Sequence, residues 1–494
     1  MLEVSEVGNK IGKTEFEEAI GDLRVGLINA QYDLRDADFP VVIWIAGDDR
    51  LAANALVNQL NEWMDSRYAD TRVFADPTEE ESQRPQLWRL WRSLPPRGRA
   101  SFFVGGLMRA ASLRAEGDID EPEFSIWLRH IATMQHALVT DGALILKFFL
   151  HTPAKIQKKK LKAAEKHPET GWQVDQRDWA ALDALGPVLP IAERILRETS
   201  GPGAPWTIVE STDARYRDLT VARTILAALS TRLAEKSRSP GLSVAESVFG
   251  DIDAASDVLS GVDLSGTLSR EEYRVKLAKQ QSRLHRLAIE ARKRGVGTVL
   301  AFEGWDAAGK GGLIRRITGA MEAGDYRVIP VAAPTEEERK FHYLWRFWRD
   351  LPPAGKVVIF DRTWYGRVLV ERVEGFAAPA EWQRAYDEIN DFESQLVERG
   401  YYVAKFWLHV SPEEQLARFT AREQTAYKSH KITEEDYRNR ERWDDYVKAV
   451  DQTILPTTSD AAPWHVIPAN DKRLARVTAL KAVNKGLARV LRQT

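Results

Sequence analysis

Cysteine is absent from this chain of 494 residues. Its absence excludes disulfides, thiolate metal sites and a cysteine nucleophile, and it is compatible with a reducing compartment. Charge of one sign is not in excess, because 70 Lys and Arg residues stand against 72 Asp and Glu, a formal net charge of −2. The composition therefore gives no overall attraction to nucleic acid or to a membrane. Long apolar runs and a signal-like N-terminus are also missing, so we expect a cytoplasmic protein that binds neither.

A glycine-rich loop is present in the C-terminal half, where Gly304 to Gly312 has the sequence GWDAAGKGG. It follows an apolar segment and precedes a helix-like stretch, as the GxxxxGK pattern of a phosphate-binding loop requires. In such a loop, N–H groups at the helix N-terminus surround a phosphate, and the lysine, here Lys310, adds a positive charge. Gly311 replaces the usual Ser or Thr that binds magnesium, so we expect Asp306 to organise metal and substrate instead. An accidental helix entrance is the alternative.

The same frame occurs once more, earlier in the chain. Asp49 matches Asp306 at an offset of 257 residues (306 − 49 = 257), but Ala53 takes the place of Lys310. Further ungapped matches at this offset are 77–81 with 334–338 and 87–96 with 344–353. The chain is therefore a duplication of a unit of about 230 residues, an ordinary size for one α/β domain.

Strands and helices alternate in the C-terminal copy, which favours a parallel sheet with helices on both faces. We therefore predict two tandem α/β domains, at 1–240 and 266–494, joined by a linker at 241–265 that is rich in Ser, Gly, Asp and Ala. The strands predicted for the second domain are 298–303, 326–332, 356–362, 401–410 and 464–467, and the helices predicted for it are 270–294, 310–320, 336–350 and 413–448.

An acid and several arginines follow the third of these strands. Asp361 ends the strand at the carboxyl edge of the sheet, where open α/β sheets bind ligands. We interpret it as the Walker B acid that holds magnesium, with a helix cap as the alternative. Arg362, Arg367 and Arg372 suit bidentate phosphate recognition, and Tyr365 between them could meet a base or ribose. Surface ion pairs are the alternative for each arginine.

Cations recur farther along in a polar helical region with many interleaved acids. A solvated helix face would explain any one of them. As a set, they indicate a mobile lid that closes over a transferring phosphoryl group. The set consists of Arg418, Arg422, Lys428, Lys431, Arg438, Arg440 and Arg442.

These motifs resemble the polyphosphate kinase 2 family, and the duplicated arrangement resembles its tandem-domain branch. The family's lid usually carries Trp-Lys, whereas this chain has His430-Lys431. The segments that carry the resemblance span nearly the whole C-terminal copy and are 302–312, 333–335, 360–367, 370–373, 442–446 and 471–473.

The resemblance implies two tandem three-layer P-loop kinase-like domains with a helical lid, magnesium as cofactor, inorganic polyphosphate as donor and AMP as acceptor, giving ADP. It implies catalytic roles for Asp306, Lys310, Asp361 and Arg362, of which Asp306 and Asp361 hold magnesium or position the acceptor phosphate. The implied polyphosphate-binding residues are Gly304, Gly309, Lys310, Gly311, Gly312, Arg418, Arg422, Lys428 and Lys431. The implied nucleotide-binding residues are Thr335, Arg362, Tyr365, Arg367 and Arg372.

The chemistry agrees with the scarcity of histidine. A phosphate group of AMP is already an anionic nucleophile near neutral pH, so its attack on polyphosphate needs no general base, only two anions held in line. The chain has nine His residues, and none lies in the loop or beside Asp361. We interpret His409 and its counterpart His151 as structural.

The N-terminal copy keeps the frame and loses the charged groups. Val104 and Gly105 stand where the other copy has Asp361 and Arg362. We expect this half to be a catalytically silent partner. Its basic run from Lys155 to Lys162 could guide a long polyanion, and a solvated helix face is the alternative.

Two other functions and a possible homo-oligomer remain open on the sequence. An ATP-dependent nucleoside monophosphate kinase would share the fold and the loop. A non-catalytic polyphosphate-binding scaffold belongs to a different class, and the intact Lys310, Asp361 and Arg362 argue against it.

Overall fold

A computed structural model describes residues 2–168, 171–236, 257–424 and 434–493. The chain forms two compact units. Each contains most of one repeat copy together with a short segment of the other copy. Unit 1 is Met1–Pro77, Arg89–Ser243 and Glu336–His342, and unit 2 is Thr78–Trp88, Val244–Thr335 and Tyr343–Thr494. The domain bounds predicted above stay a prediction, because most of the linker lies outside the described residues.

Each unit has a parallel five-stranded sheet flanked by helices, so the predicted fold class is confirmed. In unit 1 the strands are β1 Val41–Gly47, β2 Ala69–Phe74, β3 Ala100–Gly105, β4 Leu144–His151 and β5 Trp206–Glu210, in the order β2-β3-β1-β4-β5. In unit 2 they are β6 Thr298–Gly304, β7 Tyr326–Pro330, β8 Val357–Asp361, β9 Tyr402–His409 and β10 Trp464–Pro468, in the order β7-β8-β6-β9-β10. The two orders correspond strand for strand, as a duplication requires.

The helices of the N-terminal copy are α1 Lys13–Leu34, α2 Arg50–Trp63, α3 Glu79–Ser82, α4 Trp88–Arg92, α5 Leu107–Glu116, α6 Glu121–Thr140, α7 Ala154–Lys166, α8 Gln176–Glu198 and α9 Ala214–Lys236. Those of the C-terminal copy are α10 Arg270–Arg294, α11 Lys310–Thr318, α12 Trp345–Arg349, α13 Val370–Val373, α14 Pro379–Glu398, α15 Pro412–Glu423, α16 Glu434–Glu441, α17 Trp443–Ile454 and α18 Lys472–Gln493. Within the described part of the chain, no helix is both long and apolar enough to cross a bilayer.

The central strands are apolar without alternation because helices cover them on both sides. β9 is buried along its whole length, and β6 is buried up to its last residue. β7 lies at the edge of its sheet and is largely exposed. The sequence signal for the inner strands was therefore strong.

The helix predicted over 336–350 is wrong. The chain instead makes a 3₁₀ turn at Glu338–Lys340, an extended residue at Phe341 (φ −123°, ψ 166°) and the short helix α12. The aromatic residues that indicated one long helix do not reflect helical periodicity. Trp345 and Trp348 are instead buried in unit 2.

A buried lysine occupies the same position in both sheets. In β9, Lys405 forms an ion pair with Glu393 of α14 at 2.5 Å. The matching Lys147 of β4 meets Gln135 instead, donating to its Oε1 at 2.7 Å and to a backbone carbonyl. Burial without a carboxylate partner lowers the pKa of Lys147 to about 7.

We expect Lys147→Met to flatten the pH dependence of stability between pH 7 and 9. The unfolded chain holds the Lys147 proton up to its ordinary pKa near 10.4, whereas the folded chain releases it near pH 7. The wild-type fold therefore gains stability as pH rises through this window, by about 2 kcal/mol from pH 7 to 9. Thermal unfolding at several pH values measures this gain. Lys155→Met, at an exposed position, is the control that keeps the slope, and an equal slope in both variants would contradict the assignment.

Candidate active site

The glycine-rich loop leaves the central strand of unit 2 through a residue that has to be glycine. Gly304 has φ +140°, and a Cβ there would lie 2.6 Å from the carbonyl oxygen of Leu408 in β9. The next residue, Trp305, donates its backbone N–H to the same carbonyl at 3.3 Å. Close approach of two backbones therefore fixes where the loop begins.

The loop ends at a helix N-terminus that no side chain caps. Gly309 is the N-cap of α11, with φ +112°, and it makes no side-chain hydrogen bond. The first turn of α11 has no acidic residue, and a Cβ at Gly311 would meet nothing within 4 Å. Uncapped N–H groups at the positive end of a helix are suited to an anion.

Lys310 lies across this loop. Its Nζ donates to the carbonyl oxygens of Gly304 at 2.6 Å and of Trp305 at 3.3 Å. The ammonium group is thereby held beside the helix N-terminus, where it adds a full positive charge to the partial charges of the amides.

Asp306 is the anionic centre of the loop. Its Oδ1 accepts from Arg362 Nη2 at 3.1 Å and its Oδ2 from Asn439 Nδ2 at 3.1 Å. Burial alone would raise the pKa of Asp306, but the charges of Lys310 and Arg362 and the Asn439 amide outweigh it, and the pKa lies below its ordinary value. Asp306 is therefore ionised at neutral pH.

Asp361 and Arg362 lie at the carboxyl edge of β8, directly beside the loop. Asp361 pairs in register with Phe302 of β6, two residues before Gly304. Arg362 has φ +65°, an uncommon conformation outside glycine, and donates its backbone N–H to the Phe302 carbonyl at 3.0 Å. The structure thus brings together the four residues predicted to be catalytic. Of the two non-glycine residues with positive φ in the described ranges, Arg362 is one of these four and Ala307, at φ +60°, lies in the loop.

The carboxylates fit magnesium. This ion prefers oxygen ligands and commonly takes one or two carboxylates, with waters and substrate phosphates completing its shell. Asp306 and Asp361 supply two carboxylates at one sheet edge. Within the described ranges, no group of three or more His, Asp or Glu side chains could hold a metal by itself. A cation that needs the substrate to complete its shell is consistent with this set.

Trp305 and Asn439 are site residues that sequence reasoning missed. Trp305 stacks on Trp443 of α17 with ring centroids 3.6 Å apart and an interplanar angle of 7°, and its Nε1 donates to His409 Nδ1 at 3.1 Å. Burial lowers the pKa of His409 to about 4, so the ring is neutral and accepts this hydrogen bond. Asn439 on α16 also accepts from Tyr446. The last part of the predicted lid, at Asn439, and the helix that follows it, at Trp443, therefore both contact the loop.

Arg418 is buried and supports the loop from behind. Its guanidinium contacts Glu414 on its own helix and backbone oxygens on two sides. The carbonyls that accept from it are those of Ala307, Ala308, Ala469 and Asn470. Because these contacts occupy the guanidinium, the geometry favours a positioning role. The direct phosphate contact predicted for Arg418 stays a prediction.

Further cations surround the start of α11. Arg476 of α18 lies 3.1 Å from where a Cβ of Gly312 would be. The pKa of Lys472 lies below its ordinary value because it loses hydration and because Arg418, Arg422 and Arg476 are near. Sequence reasoning named Arg422 but missed Lys472 and Arg476, although the 471–473 motif marked their helix. Lys428 and Lys431 lie outside the described residues.

The residues predicted to bind the nucleotide have contacts inside unit 2. Tyr365 is fully buried and donates to Glu393, and Arg367 forms an ion pair with Glu371 at 3.2 Å. Arg372 stacks over the Trp382 ring, with 4.1 Å between its Cζ and the ring centroid. Thr335 is exposed after β7. Their nucleotide contacts stay predictions, and Tyr365 would have to leave its buried position to make one.

In the matching loop of unit 1, a carboxyl group of the loop caps the helix that follows. There α2 begins at Arg50, and Asp49 caps it by accepting from the Ala52 N–H at 3.0 Å. Ala53, which matches Lys310, lies within the first helical turn. A side chain of the loop itself thus accepts from an amide that a phosphate would need.

The loop, the sheet and the helix N-terminus together give unit 2 the arrangement that phosphate-binding α/β units use. A family model described as Polyphosphate kinase 2 (PPK2) matches residues 10–237 and 267–493. The chain therefore belongs to the polyphosphate kinase 2 family, and the family resemblance found in its motifs is confirmed in both copies.

Proteins named Polyphosphate:AMP phosphotransferase are similar to this chain over nearly its whole length. The one from Pseudomonas aeruginosa is 45% identical over 489 residues, which covers 99% of this chain and 98% of that protein. The one from Acinetobacter johnsonii is 35% identical over 474 residues, covering 94% and 95%. The crystal structure of a Pseudomonas aeruginosa protein assigned to polyphosphate kinase 2 superposes with a TM-score of 0.90 at 42% identity, with 100% of both chains covered.

Proposed function

We propose that this chain transfers the terminal phosphoryl group of inorganic polyphosphate to AMP and so produces ADP. The observation that carries this proposal is the uncapped start of α11 with Lys310 across it and Asp306, Asp361 and Arg362 beside it. The full-length likeness to proteins named Polyphosphate:AMP phosphotransferase supports this choice of donor and acceptor.

In the proposed reaction, an oxygen of the AMP phosphate attacks the terminal phosphorus of polyphosphate. A new P–O bond forms, the bond to the next phosphate breaks, and its electron pair leaves with the shortened chain. Lys310 and the α11 amides hold the donor, while Arg362, placed beside Asp306, contacts the acceptor. The barrier lies in bringing two anions into line, which fixed cations lower without a general base.

Magnesium is the proposed cofactor, held by Asp306 and Asp361. When bound, it would neutralise part of the charge on the phosphates. Asp306 is already ionised in the protein, because Lys310 and Arg362 hold its pKa down. Hydrogen bonds from Arg362 and Asn439 hold the Asp306 carboxylate in place.

We propose in addition that unit 1 is catalytically silent. It lacks the loop lysine, and Asp49 caps the helix that would otherwise receive a phosphate. Two further cations near the start of α11 are missing as well. In the later part of the repeat the offset is 258, because the C-terminal copy has one inserted residue, and Ala214 and Asp218 there match Lys472 and Arg476 (472 − 214 = 258).

We expect labelled AMP and magnesium to yield labelled ADP when polyphosphate is supplied, and far less when ATP replaces it. The label distinguishes ADP made from AMP from ADP left over from ATP. Robust labelled ADP with ATP alone would favour a nucleoside monophosphate kinase. Binding of polyphosphate without labelled ADP from either donor would favour a scaffold. GMP in place of AMP tests the acceptor.

A further inference from the structure

A stripe of five exposed lysines runs along α7 in unit 1. Their spacing of three and four residues places them on one face of the helix, opposite the buried Gln157 and Leu161. Among the residues that the structure describes, no carboxylate lies within 4.0 Å of their ammonium groups. The lysine stripe consists of Lys155, Lys158, Lys159, Lys162 and Lys166.

The lysine stripe weakens the helix that carries it. Like charges three and four residues apart repel each other, and lysines in the first turns oppose the positive end of the helix dipole. The first turn of α7 has no acidic residue to compensate. Glu165 is the one acid of α7 and lies at the edge of this face, so five exposed lysines stand against a single carboxylate. A helix face selected only for solvation would mix the two signs of charge more evenly.

The matching helix of unit 2 has no such stripe. At the offset of 258 (413 − 155 = 258), α15 begins with Glu413 and Glu414, the usual acids of a first turn. The positions of Lys158, Lys159 and Lys162 carry Leu416, Ala417 and Thr420. The positive face is therefore specific to the half that lost its phosphate loop.

The lysine stripe also begins at the ligand-binding edge of its sheet. α7 starts at Ala154, just after β4 ends at His151. Lys160, on another side of the same helix, donates to the Ser211 carbonyl after β5 at 2.8 Å, which fixes the helix against that edge. In open α/β sheets this edge is where ligands bind.

We propose that the lysine stripe binds inorganic polyphosphate along its chain, as a holding surface separate from phosphoryl transfer. The proposal rests on polyphosphate being the donor. Lysines are point charges without geometric demands, and a line of them complements a flexible linear polyanion. α7 itself carries no aromatic residue, and the single exposed Trp172 in the turn that packs against it is no row of stacking platforms for successive bases. A chain long enough to engage both this surface and the active site would bind more tightly through effective concentration, whereas a short one would not.

Binding measurements on the full chain test this inference. Lys155, Lys158, Lys159 and Lys162 are changed together to Gln in the otherwise unchanged chain, and AMP is left out so that no acceptor is present for turnover. The matched control changes four other exposed lysines, Lys10, Lys13, Lys276 and Lys279, to Gln, so that the net charge changes equally. Long-chain polyphosphate and tripolyphosphate are titrated at several salt concentrations.

We expect the stripe variant to bind long-chain polyphosphate about tenfold more weakly, with a shallower salt dependence, while the control changes less than about twofold. Tripolyphosphate affinity stays the same in both. Four Lys→Arg changes in the stripe keep the charge and retain the binding. With AMP and magnesium added, the KM for long chains rises in the stripe variant while kcat is unchanged.

Equal affinity of the stripe variant and the control for long chains would overturn the inference, even if ADP forms from polyphosphate. Loss of affinity for a single-stranded DNA oligomer with polyphosphate binding unchanged would overturn it too. Weaker polyphosphate binding in a protein that makes no ADP would instead refute the proposed function and leave the holding surface supported.

Discussion

Lys310→Ala is expected to lower turnover with polyphosphate and AMP by two or more orders of magnitude. The ammonium group lies across the loop, held by the carbonyls of Gly304 and Trp305, beside amides that have no other cap. Removing a fixed positive charge from developing phosphate charge costs on the order of 3 kcal/mol of transition-state stabilisation. Steady-state ADP formation at saturating substrates measures the loss. Asp361→Asn, at the end of the neighbouring strand β8, is expected to lower turnover by a similar factor.

The control for Lys310→Ala is Lys293→Ala, an exposed lysine at the end of α10 that keeps its rate within about twofold. The unfolding temperature of both variants is measured as well, because Lys310 hydrogen-bonds two carbonyls of the loop and also compensates the buried charge of Asp306. A folded Lys310→Ala protein with a near-normal rate would show that the phosphate is held elsewhere.

The parts of the fold that sequence predicted well are those set by local signals. α10 begins with a capping box at Ser269 and ends at Gly295 in the left-handed conformation, both visible as residue types. The inner strands are buried on both faces and so are continuous apolar runs. The helix predicted around Phe341 was wrong because the aromatic residues there are explained by tertiary burial rather than by helical periodicity.

The same distinction between local and tertiary signals applies to the residues of the candidate site. Gly304, Gly309 and Lys310 are close in sequence, so their spacing already defines the loop. Asn439 reaches Asp306 from 133 residues away, and no local pattern records such a contact. Sequence also gives residue types but not their existing partners.

That limit explains the arginines. Arg418 has the right charge and lies at the right place, yet the carbonyls of the loop and of the segment after β10 occupy its guanidinium. Arg372 is likewise stacked over Trp382. An arginine that contacts the protein interior and one that contacts a ligand use the same chemistry. Only the three-dimensional structure distinguishes the two.

Asp306→Ala is expected to abolish the rate, whereas Asp49→Ala leaves it nearly unchanged. The two acids match in the repeat but do different work. Asp306 holds Arg362 and Asn439 at the loop and is ionised. Asp49 caps α2 through the Ala52 N–H, and losing such a cap costs about 1 kcal/mol of stability. We therefore expect Asp306→Ala to lose activity, and Asp49→Ala to keep its activity but unfold at a lower temperature.

Measuring rate and unfolding temperature on both variants separates chemistry from folding. If Asp306→Ala unfolds near the wild-type temperature and forms no ADP, its loss is catalytic, and Asp306→Asn tests whether the charge rather than the shape is needed. Asp49→Ala, with a lower unfolding temperature and a normal rate, would place the function of that acid in the fold of unit 1 alone. A folded Asp49→Ala protein with a large loss of rate would mean that unit 1 takes part in catalysis, because capping a helix cannot by itself account for lost turnover.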